Sequence, residues 1–119
     1  MHALKELKVW QRAIELSTAV YKAVIDFPMD EKYGLTSQIK RSVVSIASNI
    51  AEGAGRNSKN EFVHFLGIAN GSSFELQTQL IIAHNLGLIS KEKVEQLCSH
   101  IDEIQKMIFG FLKNLKTNM

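Results

Sequence analysis

The sequence predicts an all-α protein, an up-down-up-down antiparallel four-helix bundle that forms a single domain over residues 1–119. The chain contains one proline, Pro28, and proline is the residue that most strongly interrupts a helix. No long alternating run of β-branched residues indicates a strand. Four segments repeat apolar residues at steps of three and four, and the short connections between them make successive helices antiparallel.

The ends of the helices are predicted from residues that stop or start them. Phe27-Pro28 ends the first helix, and Gly53 is expected to end the second in the left-handed conformation. Ser58, followed three residues later by Glu61, predicts a capping box at the start of the third helix, which closes near Leu86-Gly87. The predicted helices cover about residues 4–26, 31–53, 59–86 and 90–115.

One apolar stripe on each helix is expected to face the core. The stripe of the fourth helix alternates steps of three and four throughout, as in a heptad seam. In chain order the four stripes are Leu7, Trp10, Ile14, Val20 or Tyr21, and Val24; Ile39, Val43, Ile46 and Ile50; Phe62, Leu66, Ala69, Ser73, Leu76 and Leu80; and Val94, Leu97, Ile101, Ile104, Ile108, Phe111 and Leu115.

Helices 1 and 3 carry more apolar residues than these stripes use, which predicts self-association. A monomer that exposed them would be prone to aggregate, and a broad core that covers them is the alternative. Gly67 and Gly71 lie about one turn apart within helix 3, where close packing against another backbone would offset the destabilising effect of glycine. The additional apolar residues are Val9, Ala13, Leu16 and Val20 in helix 1, and Phe65, Ile68, Ile81 and Ile82 in helix 3.

Charge and composition predict a cytoplasmic protein without a membrane span. Fourteen basic and twelve acidic residues leave a net charge of +2, which is too small to indicate nucleic-acid binding by itself. The N-terminal sequence lacks the layout of a signal peptide, and no segment approaches the roughly 18 consecutive apolar residues of a membrane helix. The single cysteine, Cys98, is expected to be a small buried apolar residue rather than a nucleophile.

No catalytic residue, metal-ligand set or cofactor is predicted. Glu61 and His64 match one Glu-x-x-His element of di-iron bundle proteins, but such sites need a second element and two more glutamates. A metal-dependent oxidase is therefore a distant alternative. The Gly53-Ala54-Gly55 segment lacks the lysine and the preceding strand of a phosphate-binding loop.

A polar stripe on helix 2 is the strongest candidate for a contact surface. Four polar side chains fall within about 60° of one another around the helix, and a fifth flanks them. These are Arg41, Ser45, Ser48 and Glu52, flanked by Asn49. A counterpart on helix 3, with spacings of three and four, consists of Ser72, Glu75 and Gln79.

Two interpretations of this stripe stay open. In the favoured one, Arg41 pairs with a glutamate, within the bundle or across subunits, and fixes the packing geometry. In the other, the stripe joins a binding surface for nucleic acid or another partner, because residues 40–59 contain four basic side chains and one acidic side chain. The basic side chains are Lys40, Arg41, Arg56 and Lys59.

Several sequence blocks form a pattern that spans nearly the whole chain. They are Phe27-Pro28, Tyr33-Gly34-Leu35-Thr36-Ser37-Gln38, Arg41, Ser45-Ile46-Ala47-Ser48-Asn49-Ile50-Ala51-Glu52-Gly53, Arg56, Glu61-Phe62, Gly71-Ser72 and Glu75. Together they resemble the four-helix-bundle proteins encoded within 23S ribosomal RNA intervening sequences. The Asn-Ile-Ala-Glu-Gly block is the most specific part of this resemblance.

The resemblance implies a cyclic homopentamer, and no enzymatic activity is established for the family. Relatives of the family include the accessory variability protein of diversity-generating retroelements, a basic pentameric barrel that associates with a reverse transcriptase and with nucleic acid. RNA, DNA or a reverse transcriptase are therefore the implied further partners, and a structural scaffold that binds no nucleic acid is the alternative. This chain departs from the pattern in being only weakly basic and in carrying Ala47 where many relatives have proline, which predicts a straighter helix 2.

Overall fold

The computed structural model describes residues 3–117, and this part of the chain forms four α-helices and no strand. Successive helices pack against one another, and the first also packs against the last, which closes the bundle. The molecule measures 46 × 23 × 20 Å along its principal axes. The predicted four-helix bundle is confirmed. The helices are α1 (Lys8–Ala23), α2 (Leu35–Ala54), α3 (Lys59–Asn85) and α4 (Lys91–Thr117), and short 3₁₀ helices cover Leu4–Glu6 and Met29–Glu31.

The first two helices are shorter than the sequence predicts, and the reason lies in the segments that precede them. Leu7 is extended between the first 3₁₀ helix and α1, so the two do not form one continuous helix. A second 3₁₀ helix and Gly34, with φ −111° and ψ −112°, occupy the predicted start of α2. The bounds of α3 and α4 lie within two residues of those predicted.

Gly53 does not end α2 in the left-handed conformation, so that prediction is wrong. It lies inside α2, which continues to Ala54, and Gly55 follows with φ −81°. A Cβ atom at position 53 would lie 2.8 Å from Phe62 Cδ1 and 2.9 Å from Phe65 Cβ. Glycine is therefore needed here because α3 approaches the α2 backbone closely.

The two ends of α3 follow their sequence signals. Ser58 Oγ accepts a 3.1 Å hydrogen bond from the Glu61 amide, which confirms the cap, but the reciprocal bond of a full capping box is not formed within the described residues. Gly87 has φ +76°, and Leu88 donates its amide to the Ala83 carbonyl. This is a Schellman motif, in which glycine supplies the left-handed residue.

The core confirms the predicted stripes of α2, α3 and α4, apart from the partly buried Phe111, but corrects that of α1. Ile14 is 42% exposed, whereas Leu16 is fully buried. Helix α1 has two apolar sets at similar spacings, and the set that faces the core is the one we expected to be additional. The residues of α1 and its C-terminal end that are buried are Val9, Ala13, Leu16, Val20 and Val24.

Candidate interaction surface

The α2–α3 contact is organised around a buried serine. Ser42 is 1% exposed, and its hydroxyl lies 2.6 Å from Glu75 Oε1, 2.9 Å from Gln79 Oε1 and 2.9 Å from the Gln38 carbonyl oxygen. One hydroxyl hydrogen cannot serve three acceptors fully, and a half-turn of the Gln79 amide would let its NH₂ group donate to Ser42 instead. The cluster is a polar contact inside an otherwise apolar interface.

A second polar contact lies about one turn further along α2. The Ser45 and Ser72 hydroxyls are 2.8 Å apart, and Asn49 Nδ2 donates to both the carbonyl and the hydroxyl oxygen of Ser45. Ser72 and Glu75, which the sequence suggested as a counterpart on α3, therefore both contact α2. The sequence analysis did not identify Ser42 as a contact residue. Its position at the border between the polar and apolar faces of α2 was the feature that could have indicated this role.

Arg41 and Glu52, the two charged members of the polar stripe, point outward. Arg41 is exposed and forms no ion pair with any group in residues 3–117, so the pairing with a glutamate is not made within one subunit. Glu52 instead pairs with Arg56 at 3.3 Å. The exposed Ser48 lies between them on the same face. Within the described residues Arg41 is therefore an exposed cation without a carboxylate partner.

The four basic candidates form two separate pairs rather than one patch. Lys40 lies over the Tyr21 ring, at 5.1 Å from its centroid, next to Arg41. Arg56 lies over the Phe65 ring, at 4.9 Å, and Lys59 begins α3. With a rise of about 1.5 Å per residue, the pairs are separated by roughly 20 Å along α2. A single subunit thus presents two small basic sites.

The outward side of α3 is unusually apolar for an exposed surface. Between His64 and Asn85, Glu75 is the only exposed residue with an ionised side chain, and it is already bonded to Ser42. We expected Gly67 and Gly71 to pack against another backbone, but a Cβ atom on either would meet nothing within 4 Å. We call this surface the outer face of α3. Its exposed residues are Gly67, Ile68, Gly71, Phe74, Glu75, Thr78, Ile81 and Ile82.

The side chains considered for chemistry do not converge. Glu61 and His64 are exposed near the start of α3, and no group of three or more potential metal-ligating side chains occurs within residues 3–117. His84 Nδ1 contacts the Ile89 carbonyl oxygen at 3.1 Å. Cys98 is half-buried against the core, and this desolvation raises the pKa of its thiol. A raised pKa keeps the thiol protonated, which suits a packing role.

Comparison with known proteins places the chain in a family. The model of the 23S rRNA-intervening sequence proteins matches residues 5–110. The chain belongs to this family. No curated protein matches it by sequence. Its fold is similar to the crystal structure of a protein of unknown function from the S23 ribosomal protein family of Bacteroides thetaiotaomicron, with a TM-score of 0.80 and 25% identity over 88% of this chain and 98% of that one.

The region that this 23S rRNA-intervening sequence protein shares with its family includes every surface described above. Residues 5–110 contain both basic pairs, the α2–α3 polar contacts and the whole outer face of α3. None of the helices in residues 3–117 combines the length and apolarity that crossing a membrane requires.

Proposed function

We propose that this 23S rRNA-intervening sequence protein is a non-catalytic scaffold that self-associates through the outer face of α3. The observation that carries the proposal is the composition of that face, which exposes Ile68, Phe74, Ile81 and Ile82 around two glycines. A helix with apolar residues around most of its circumference is more stable when it is covered on more than one side. In a single subunit one side of α3 has nothing to cover it, and a second copy of the chain supplies that cover.

The glycines support close approach of a second copy. Gly67 and Gly71 lie one turn apart on the outer face of α3, and both face open space in the single subunit. Glycine inside an exposed helix is destabilising by about 0.5–1 kcal/mol relative to alanine. A shallow groove at these positions lets a neighbouring helix pack closely, and this contact offsets that loss.

Arg41 supplies the polar part of the same contact. It is exposed at the edge of the α2–α3 surface without an ion-pair partner in its own subunit's described residues. In the assembly it pairs with a carboxylate of the neighbouring copy. Ion pairs at the edge of an apolar interface fix the orientation of the partners more than they add affinity. Arg41 is thus proposed to set the rotation between subunits.

A cyclic pentamer is the proposed size of the assembly, on the strength of the family resemblance. Light scattering at micromolar concentration tests it directly. Five copies of the 13.4 kDa chain give about 67 kDa. A mass of 13.4 kDa across the micromolar range contradicts self-association, and a stable multimer of another size contradicts the pentamer alone.

Nucleic acid, or an enzyme that acts on it, is the proposed partner of the ring. A net charge of +2 per chain is small, but five copies carry +10 and repeat each basic pair five times. Linked weak sites bind far more tightly than one site when they engage the same ligand. Lys40 and the basic pair Arg56 with Lys59 are the proposed contacts to phosphate groups, since Arg41 is assigned to the subunit contact.

A further inference from the structure

A pocket at one end of the bundle is separate from the outer face of α3. It lies where the end of α1, the following connection and the first turns of α2 meet, and its volume is about 410 Å³. Small-molecule sites occupy roughly 300–1,000 Å³. No residue of α3 or α4 lines this pocket. Self-association through α3 therefore leaves it unoccupied.

One wall of the pocket is apolar. Val24 and Phe27 are buried beneath it, and Ile25, Pro28 and Met29 are exposed at its surface. Ile25 and Met29 are 76% and 80% exposed to water. An inorganic anion would leave this wall wet, whereas an aliphatic chain would cover it and gain about 25 cal/mol per Å² of apolar area removed from water.

The rim of the same pocket is cationic. Lys22, Lys32 and Lys40 line it, and no acidic side chain does. None of the three pairs with a carboxylate within residues 3–117. Lys40 lies over the Tyr21 ring and Lys32 over the Tyr33 ring, at 5.1 and 5.5 Å from the centroids. These contacts hold positive charge beside an apolar wall without neutralising it.

Thr36, at the start of α2, also lines the pocket. Thr36 Oγ1 is shielded from solvent, yet it makes no hydrogen bond with any group in the described part of the chain. Thr36 belongs to the first turn of α2, where Gly34 provides no side-chain cap. The start of a helix carries partial positive charge, which adds to that of the lysines.

We propose that this pocket binds a single-chain aliphatic carboxylate of the medium-chain fatty-acid class. The hydrocarbon chain lies against the wall formed around Ile25 and Met29, and the carboxylate lies among the lysine ammonium groups near the start of α2. The charge of the rim selects the anionic head group, and the apolar wall selects the chain. A cationic amphiphile matches the wall and is repelled by the rim.

Calorimetric titration of the full-length protein with three probes tests both parts of this assignment. Decanoate should bind saturably at one molecule per chain. Butyrate, which keeps the head group and lacks the chain, and decyltrimethylammonium, which keeps the chain and reverses the charge, should each bind at least tenfold more weakly. The absence of saturable decanoate binding, or an affinity for butyrate or for decyltrimethylammonium within tenfold of that for decanoate, overturns the proposal.

Matched lysine variants locate the site. The double variant Lys32→Gln/Lys40→Gln should weaken decanoate binding at least tenfold, whereas Lys113→Gln, at an exposed position on α4, should leave it unchanged. Circular dichroism confirms that each variant is folded. In an amide NMR spectrum, decanoate should shift Thr36 and leave Gly110 on α4 unmoved. The assignment is overturned if Lys113→Gln weakens decanoate binding as much as the double variant does, or if decanoate shifts only amide signals of other helices.

Discussion

The Ser42 hydroxyl donates a 2.6 Å hydrogen bond to the Glu75 carboxylate and so joins α2 to α3 inside their apolar contact. Ser42 also lies 2.9 Å from the Gln79 side chain, which is itself buried. The serine is small enough to let the two helices approach and polar enough to satisfy the longer side chains opposite. The same geometry leaves Glu75 facing outward on the proposed subunit contact.

Replacing Ser42 by alanine should destabilise the protein by about 1–3 kcal/mol, because Gln79 is left buried without its partner. Urea unfolding at fixed protein concentration measures the change. Ser48→Ala on the same helix is the matched control, since Ser48 is exposed and should change stability by less than about 0.5 kcal/mol. Equal losses in the two variants would show that the buried cluster is not what stabilises this contact.

Replacing Gly53 by alanine should also destabilise the protein, although alanine is the better helix former. Its Cβ atom would lie within 3 Å of both Phe62 and Phe65, and such overpacking typically costs about 1–3 kcal/mol. Gly110→Ala is the control, because a Cβ atom there meets nothing within 4 Å. Thermal unfolding should show that Gly110→Ala is stabilising by about 0.5–1 kcal/mol. Stabilisation by both substitutions would contradict the close approach of α3.

The core stripe of α1 and the role of Gly53 could not be predicted from the sequence alone. The stripes of α2 and α4 were predictable because each has one main apolar set with the period of a helix. The core stripe of α3 was predictable because it keeps steps of three and four throughout, which the additional apolar residues of that helix do not. Helix α1 has two such sets, and only the position of its neighbours decides that Leu16 faces the core and Ile14 does not. A glycine near a helix end fits either a left-handed cap or a close contact, and Phe62 decides between them at Gly53.

The candidate surface was predictable in outline but not in its partners. Helical angles placed Arg41 and Glu52 on one face of α2, and the structure has both exposed there. Spacing on α3 indicated Ser72 and Glu75, which do contact α2. Pairing depends on how far one helix is shifted along the other, and a single sequence does not specify that shift.

The Cys98 thiol should ionise at a higher pH in the folded protein than in the unfolded chain, because burial raises its pKa. Since the unfolded thiol loses its proton first, the contribution of Cys98 to stability is complete below the ordinary thiol pKa and is lost as pH rises through the folded value. Alkylation rates measured against pH, in native buffer and in urea, give the two midpoints. A native midpoint at or below the unfolded one contradicts this account.

Binding to RNA, if it uses the basic pairs, should weaken with salt. Lys40→Gln should reduce the slope of log K against log salt by at least about 0.7, the value for one contact to a single strand. Arg12→Gln is the control, because Arg12 lies on α1 and pairs with Glu15 and Glu103. Fluorescence anisotropy with a labelled single strand gives the slopes. Absence of binding at low salt favours the scaffold without nucleic acid.

The most direct test of self-association through the outer face of α3 is the light-scattering mass of two isoleucine variants. Ile82 on α3 and Ile14 on α1 are 45% and 42% exposed, so glutamate at either position alters a similar apolar surface. The account predicts that Ile82→Glu weakens assembly at least tenfold, equivalent to about 1.4 kcal/mol, while Ile14→Glu retains the wild-type mass. An unchanged multimer in Ile82→Glu, or dissociation in Ile14→Glu alone, would contradict it.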